Sequence, residues 1–305
     1  MCLLAGWGET RLCPASFFGK PVNIGYSYRM AQKPAANALT LELEPVVADN
    51  LARHLQTADE WYAHDYVPFG EGRDFAFLGG QDWDPSQVTL PTEVVDALEV
   101  LLITKDNLAG YHREIVEHFI LEDKWGRWIG RWTAEENLHA IALREYLLVT
   151  RNFDPVADEQ VRVNHVMRGY RASNYTQIET LVFMALYERA HAVYARNLEA
   201  KIDEPVLKGL VGRIAADEER HREFFDNLVL HCVEHHRDST ISAIARRSTA
   251  FPVVGGDILE YRETKLRTVA DTGVFNEDAA AKVLADAIAG WGLADEPLLK
   301  KRVAA

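Results

Sequence analysis

Three Glu-x-x-His pairs occur in this chain: Glu136 with His139, Glu188 with His191, and Glu218 with His221. A spacing of three places both members of a pair on one face of a helix, and a carboxylate beside an imidazole is a donor set for a transition metal. One pair alone is a weak signal, because so short a motif recurs by chance. Register makes it stronger. Leu207, Val211, Ile214, Glu218, His221, Phe225, Leu228 and Cys232 recur in steps of four and three, the pattern of a buried helical stripe. The same steps carry Leu181, Met184, Glu188, His191, Ala195 and Leu198, and again Trp125, Trp128, Trp132, Glu136, His139, Leu143 and Tyr146. All three pairs therefore aim at one interior.

Unpaired charges are costly to bury, so carboxylates on three inward stripes must meet cations or stay protonated. A shared metal is the simplest common partner. The plainer alternative is that each Glu pairs with a nearby arginine such as Arg189 or Arg220, and that each His is a hydrogen-bonded core residue. A fourth stripe, Val94, Leu98, Leu101, Lys105, Leu108, His112, Ile115 and Phe119, carries no acid but puts Lys105 and His112 on its seam. A buried lysine is rare, and a two-metal bundle would place a carboxylate there.

The elements that position these residues read as helices throughout. The pattern is helical from Thr40 to about Thr57, and Pro68, Gly70, Gly72, Gly79 and Gly80 mark a loop ending near Pro91. Pro91 suits the first turn of a helix running to about Leu121. Lys124 to Thr150, Asn174 to Ala200 and Pro205 to His235 are the other long helices, with a shorter one from about Asp158 to Tyr170. Ser239 to Arg247 forms a further helix, Phe251-Pro252 and Gly255-Gly256 a break, and two helices around Asp271-Thr272-Gly273 lead to a polar end at Lys300, Lys301 and Arg302. No alternation persists long enough for a sheet. The expected fold is all-α, a four-helix core wrapped by shorter helices.

At 305 residues and 48% hydrophobic, the chain is long enough for one large domain. Its net charge of −13 and pI near 5.3 argue against nucleic acid as a partner. Cys2, Cys13 and Cys232 show no paired spacing, which fits a reduced, cytoplasmic setting. No apolar run approaches the ~20 residues of a membrane span. Residues 1–29 read as a lead, either a disordered segment, an upstream start or an ordered arm, ahead of a single domain over 30–305.

WTAEENLH (Trp132 to His139), YERAH (Tyr187 to His191) and IAADEERH (Ile214 to His221), with WYAHDYVP (Trp61 to Pro68), ITKDNLAGY (Ile103 to Tyr111) and YRETKLRTVADTGVF (Tyr261 to Phe275), resemble the soluble acyl-[acyl-carrier-protein] desaturases, from about Asn50 to Leu293. That resemblance implies a ferritin-like bundle with a di-iron centre. It makes Glu136 and Glu218 the bridging carboxylates, His139 and His221 one imidazole for each iron, Glu188 a terminal carboxylate, and Asp217 an acid that orients a ligand histidine. It further implies a homodimer that uses O2 and electrons from a ferredoxin-type donor to put a cis double bond into an acyl chain on acyl carrier protein. Docking of that acidic carrier calls for basic residues, for which Arg127, Arg131, Arg246, Arg247, Lys265 and Arg267 are candidates.

Two positions depart from the family. A terminal Glu ligand is replaced by Lys105; Asp106 cannot take its place, because one step along a helix turns the side chain about 100° away. An ammonium there would favour ionised carboxylates and repel cations, whereas a neutral amine could ligate. His191 stands where the family has Thr, as a replacement ligand, a proton donor or a packed core residue. Lys105 and His191 are thus the residues expected to modify catalysis. They also keep open a second reading, a regulatory or structural relative with one metal that no longer activates O2.

Overall fold

The computed structural model describes residues 37–168, 174–248 and 259–303. The lead over 1–29, Cys2, Cys13 and the expected break at Phe251-Pro252 and Gly255-Gly256 lie outside them. Among the described residues eleven α-helices follow in order: α1 Ala38–Thr57, α2 Thr92–Asp106, α3 Leu108–His118, α4 Asp123–Thr150, α5 Pro155–Met167, α6 Gln177–Glu199, α7 Pro205–His235, α8 Arg237–Ser248, α9 Leu259–Asp271, α10 Glu277–Gly290 and α11 Pro297–Val303. The described residues contain no strand. Helices α2, α4, α6 and α7 form the ferritin-like bundle, with α6 and α7 the most extensively packed pair; α1 lies against α4 and α7, and α9 covers α2.

Local chemistry sets the ends of the core helices. Thr176 and Glu179 close a reciprocal capping box at the start of α6. Glu204 accepts from the backbone N–H groups of Val206 and Leu207 ahead of Pro205, which fixes the start of α7. The three stripes read from the sequence on α4, α6 and α7 are buried along their whole length. Trp128 stacks on Phe224 with ring centroids 3.5 Å apart, which locks α4 to α7 beside the site.

The helix expected from Pro91 to Leu121 is broken. Asn107 sits at φ −77° and ψ 10°, and its N–H turns back to Thr104 and Lys105. Its side chain folds over the next turn, where a Cβ on Gly110 would lie 3.0 Å from Asn107 Oδ1. Asparagine offers the backbone a local alternative to the helical ladder, which is the physical reason for the break. Just beyond it the stripe turns partly out, with Leu108 and His112 only half-buried and His112 Nδ1 paired with Thr133 Oγ1 at 2.9 Å, while Ile115 and Phe119 stay buried. The polar end expected at Lys300 to Arg302 instead belongs to α11, anchored by the buried Leu299.

Between α1 and α2 the chain makes only single 3-10 turns, and α4 holds this segment from its C-terminal end. Arg151, in the left-handed region at φ 60°, directs a buried guanidinium to the carbonyls of Gln81 at 2.7 Å, Arg73 at 2.8 Å and Asp74 at 3.0 Å. The same group lies over the Phe75 ring at 3.9 Å. Arg151→Ala strips three carbonyls of their donor and should cost about 3 kcal/mol. A lower Tm with unchanged helical circular dichroism, and faster proteolysis between residues 73 and 83, is the expected result.

Candidate metal centre

Lys105, in the last turn of α2, points into the bundle with its side chain fully buried. Its ammonium has three N–H donors and three acceptors: Glu136 Oε2 at 2.8 Å, Glu218 Oε1, and His191 Nδ1 at 3.2 Å. Each donor is satisfied, so the lysine ties α2 to α4, α6 and α7 at one point. Asp106 turns away, as its register requires, and pairs with Arg144, which also holds Asp158 at 2.5 Å.

Each site histidine has one nitrogen facing the centre and one facing outward. His139 Nδ1 lies 3.1 Å from Glu218 Oε1, while its Nε2 pairs with Asp217 Oδ2 at 3.1 Å. His221 Nδ1 lies 3.2 Å from Glu136 Oε1, while its Nε2 pairs with Glu135 Oε2 at 2.8 Å. The acids cross over: the residue before Glu218 orients the histidine of α4, and the residue before Glu136 orients the histidine of α7. Trp61 Nε1 donates to Asp217 at 2.8 Å, and His54 Nε2 reaches Glu135 at 3.0 Å. On the remaining side Trp132 Nε1 donates to Glu188 Oε1 at 2.8 Å.

The charges follow from this geometry. Burial opposes ionisation of Lys105, but Glu136 and Glu218 outweigh it and hold the amine above its ordinary range, so it is an ammonium. Glu218 is penalised by burial and by Glu136, yet Lys105 and His139 bring it down to about 2. Glu188 has no such partner; burial and the neighbouring Glu136 and Glu218 push it well above the usual carboxylate range. Burial also opposes a charge on His221, but Glu135 and Glu136 lift it to about 10. His191 goes the other way: burial and then Lys105 press it to about 3, leaving a neutral ring.

Donors for one metal are present. One donor atom from each of Glu136, Glu188, Glu218 and His221 lies within 4.8 Å of the others. Glu136 Oε1, Glu188 Oε2, Glu218 Oε2 and His221 Nδ1 are buried and make no hydrogen bond. Four such atoms facing one point fit a cation, which satisfies them together and displaces the protons held by Glu188 and by His221. A second metal, beside His139, finds the Lys105 ammonium among its donors instead of a carboxylate. The six residues read from the sequence for the centre, Glu136, His139, Glu188, His191, Glu218 and His221, thus converge with Lys105, and Asp217 lies behind His139. The arginine alternative does not hold: Arg189 pairs with Asp226 at 2.6 Å and Arg220 with Asp217.

Glu135 and His54 escaped the sequence reading. Glu135 stands before Glu136 as Asp217 stands before Glu218, and Leu43, Val47, Asn50 and His54 follow the same four-three stripe on α1. The basic candidates are dispersed over α4, α8 and α9. Arg131 pairs with Glu60, Arg246 and Arg247 with Glu179, Lys265 with Asp96 and Arg267 with Glu263, while Arg127 is exposed on α4.

A helical bundle carrying inward carboxylates and imidazoles on facing helices defines the ferritin-like metalloprotein class. Within that class the chain belongs to the fatty acid desaturase family, whose model matches residues 36–304. It is 65% identical over 274 residues to the provisionally named acyl-[acyl-carrier-protein] desaturase DesA2 of Mycobacterium tuberculosis H37Rv, covering 90% of this chain and 99% of that protein. To DesA1 of the same organism, named in the same provisional way, it is 35% identical over 255 residues, covering 81% of this chain and 75% of that one. The X-ray structure of DesA2 superposes with a TM-score of 0.77 at 57% identity, covering 87% of this chain and 99% of that one. The family is one of oxidoreductases, and no helix among the described residues is long and apolar enough to cross a membrane.

Lys105→Met leaves two buried carboxylates without their cation and should cost about 3–5 kcal/mol. Ferrous ion should restore much of that loss, because a metal takes over the charge. Thermal melts of the variant with and without Fe2+ check this, against a smaller Fe2+ effect on wild type. Glu135→Gln, behind the ligand His221, should weaken metal binding by about 10–100-fold without loss of helicity, whereas Asp217→Asn, behind His139 on the lysine side, should change it little.

Proposed function

We propose that this chain is an acyl-[acyl-carrier-protein] desaturase that introduces a cis double bond into a carrier-bound acyl chain. We further propose that it holds one iron on Glu136, Glu188, Glu218 and His221, with the Lys105 ammonium at the place of a second. The single observation that carries this reading is the set of four orphaned donors beside a lysine whose three N–H groups are all engaged. The overall conversion is balanced as –CH2–CH2– plus O2, two electrons and two protons giving –CH=CH– and two waters, with the electrons from a ferredoxin-type donor. Bound iron supplies the O2-dependent redox chemistry.

The protein's own residues set the stage for it. Lys105 keeps Glu136 and Glu218 ionised and fixed in position, as a metal would, but it cannot accept or release electrons. Its contact with His191 Nδ1 assigns the proton of that neutral ring to Nε2, which makes no hydrogen bond. Of the three roles open to His191, this contact supports a packed core residue, one that accepts from Lys105 and presents Nε2–H as a hydrogen-bond donor. Trp132 and the buried Leu and Ala side chains of the bundle exclude water around Glu188, as an apolar substrate requires. Carrier docking on the basic residues of α4, α8 and α9, a homodimer through the long helices and a cytoplasmic setting complete the proposal.

A second reading is favoured by the same lysine. An ammonium bound to both bridging carboxylates competes with a metal, which suits a relative that binds carrier protein or acyl chains in a regulatory or structural role. Elemental analysis after anaerobic ferrous loading should give one iron per wild-type chain and two in Lys105→Glu. With O2, reduced ferredoxin and acyl-carrier protein, mass spectrometry should find wild-type product lighter by two hydrogens. Product from Lys105→Glu alone would assign the silent reading; product from neither, with both proteins loaded, would overturn the desaturase proposal.

A further inference from the structure

A line of contacts leads outward from Lys105 to α3. His191 Nδ1 lies 3.2 Å from the ammonium, the Tyr187 ring lies 3.9 Å from the His191 ring, and the Tyr111 ring lies 4.3 Å from that of Tyr187. Tyr187 and His191 are buried on α6, whereas Tyr111, on α3, is half-buried and forms the outer end of the line. Tyr187 Oη and His191 Nε2 are both enclosed and make no hydrogen bond. A buried hydroxyl left in that state needs a physical reason.

The two halves of α3 are held differently. The C-terminal half is anchored: Ile115 and the cap residue Phe119 are buried, and the Phe119 ring stacks on Trp125 at 4.3 Å. Gln177 Nε2 donates to the His118 carbonyl at 2.7 Å, and Thr180 Oγ1 donates to Glu114 at 3.3 Å. By contrast, none of Leu108 to Arg113 is buried. This half follows the break at Asn107, contains Gly110, and meets α4 through the 2.9 Å pair of His112 with Thr133. Glycine is, after proline, the poorest helix former. A segment with so little buried surface opens at low cost. Opening also returns what closure withholds, because the Tyr187 hydroxyl then meets water or a ligand. An unpaired buried hydroxyl shifts an equilibrium by on the order of tenfold toward any state that satisfies it.

We propose that Leu108 to Arg113 form a flap, broken from α2 at Asn107 and anchored at Ile115 and Phe119, that swings off Tyr187 and opens a way to the centre. The unpaired Tyr187 hydroxyl biases the flap toward opening. Its use rests on the acyl-chain reading above: the open flap admits the hydrocarbon to the His191 face of the centre, and closure of Tyr111 on Tyr187 then shuts water out.

Hydrogen exchange on the full chain, without substrate, tests the motion. Amides of residues 110–113 should exchange about 100-fold faster than those of α4 around Leu143, by local opening. Tyr187→Phe keeps the ring contacts and removes the unpaired hydroxyl, so it should slow exchange at 110–113 by about tenfold. Simple fraying of a helix start would not respond to that change. For access, His112→Cys with Thr133→Cys is bridged by a short bis-thiol reagent, in a chain whose Cys2 and Cys13 are replaced by Ser; Cys232 is buried. Bridging should weaken binding of palmitoyl pantetheine, followed by tryptophan fluorescence, by at least ~10-fold, because it removes the open form. Either single cysteine variant, treated alike, should bind as before. Equal binding by bridged and unbridged protein overturns the flap, as does exchange at 110–113 that is unchanged in Tyr187→Phe. Binding by none of these proteins would count against the acyl-chain reading, and the exchange comparison would still decide the flap.

Discussion

A buried ammonium held between two carboxylates governs the interior of this molecule. Lys105 meets Glu136, Glu218 and the neutral His191 in a space closed to water, and neither the lysine nor the two carboxylates could stay charged there alone. The four bundle helices meet at that contact, so bundle packing and site electrostatics are one problem. The lysine also divides the centre into two halves. On the Glu188 and His221 side, two carboxylates and an imidazole offer atoms without hydrogen bonds; on the other, His139 Nδ1 is also without one, but the nearest cation there is the Lys105 ammonium.

The outer contacts follow the pattern that a metal site would use. Asp217 with Trp61, and Glu135 with His54, hold the two histidines by their outward nitrogens and leave Nδ1 facing the centre in both. Orientation of this kind is what metal-ligating histidines need. Its symmetry across α4 and α7 persists although one half of the centre holds an amine. The family relationship extends over nearly the whole chain, so a desaturase framework surrounds a centre that holds the Lys105 ammonium.

Much of this was legible in the sequence because helical register reports burial. Steps of four and three turned Glu136, Glu188, Glu218 and Lys105 inward before any contact was known, and the helix spans of α4, α6 and α7 followed from the same count. Register does not report which neighbour a side chain meets. The crossing of Asp217 to His139 and of Glu135 to His221 depends on how α4 and α7 pack, and His54 reaches the site only because α1 lies across both. The break at Asn107 was hidden for a different reason: it leaves the apolar pattern intact while turning Leu108 and His112 partly out, with Ile115 and Phe119 still buried. His112 therefore kept its seam position in sequence and lost it in space.

The central claim is that Lys105 Nζ holds the place of a second metal. Anomalous diffraction at the iron edge, from crystals grown anaerobically with excess ferrous ion, tests it most directly. The account predicts one iron peak, bounded by Glu136, Glu188, Glu218 and His221, with the Lys105 amine still between Glu136 and Glu218. Two peaks, with Lys105 swung away and His139 bound to the second, would contradict it.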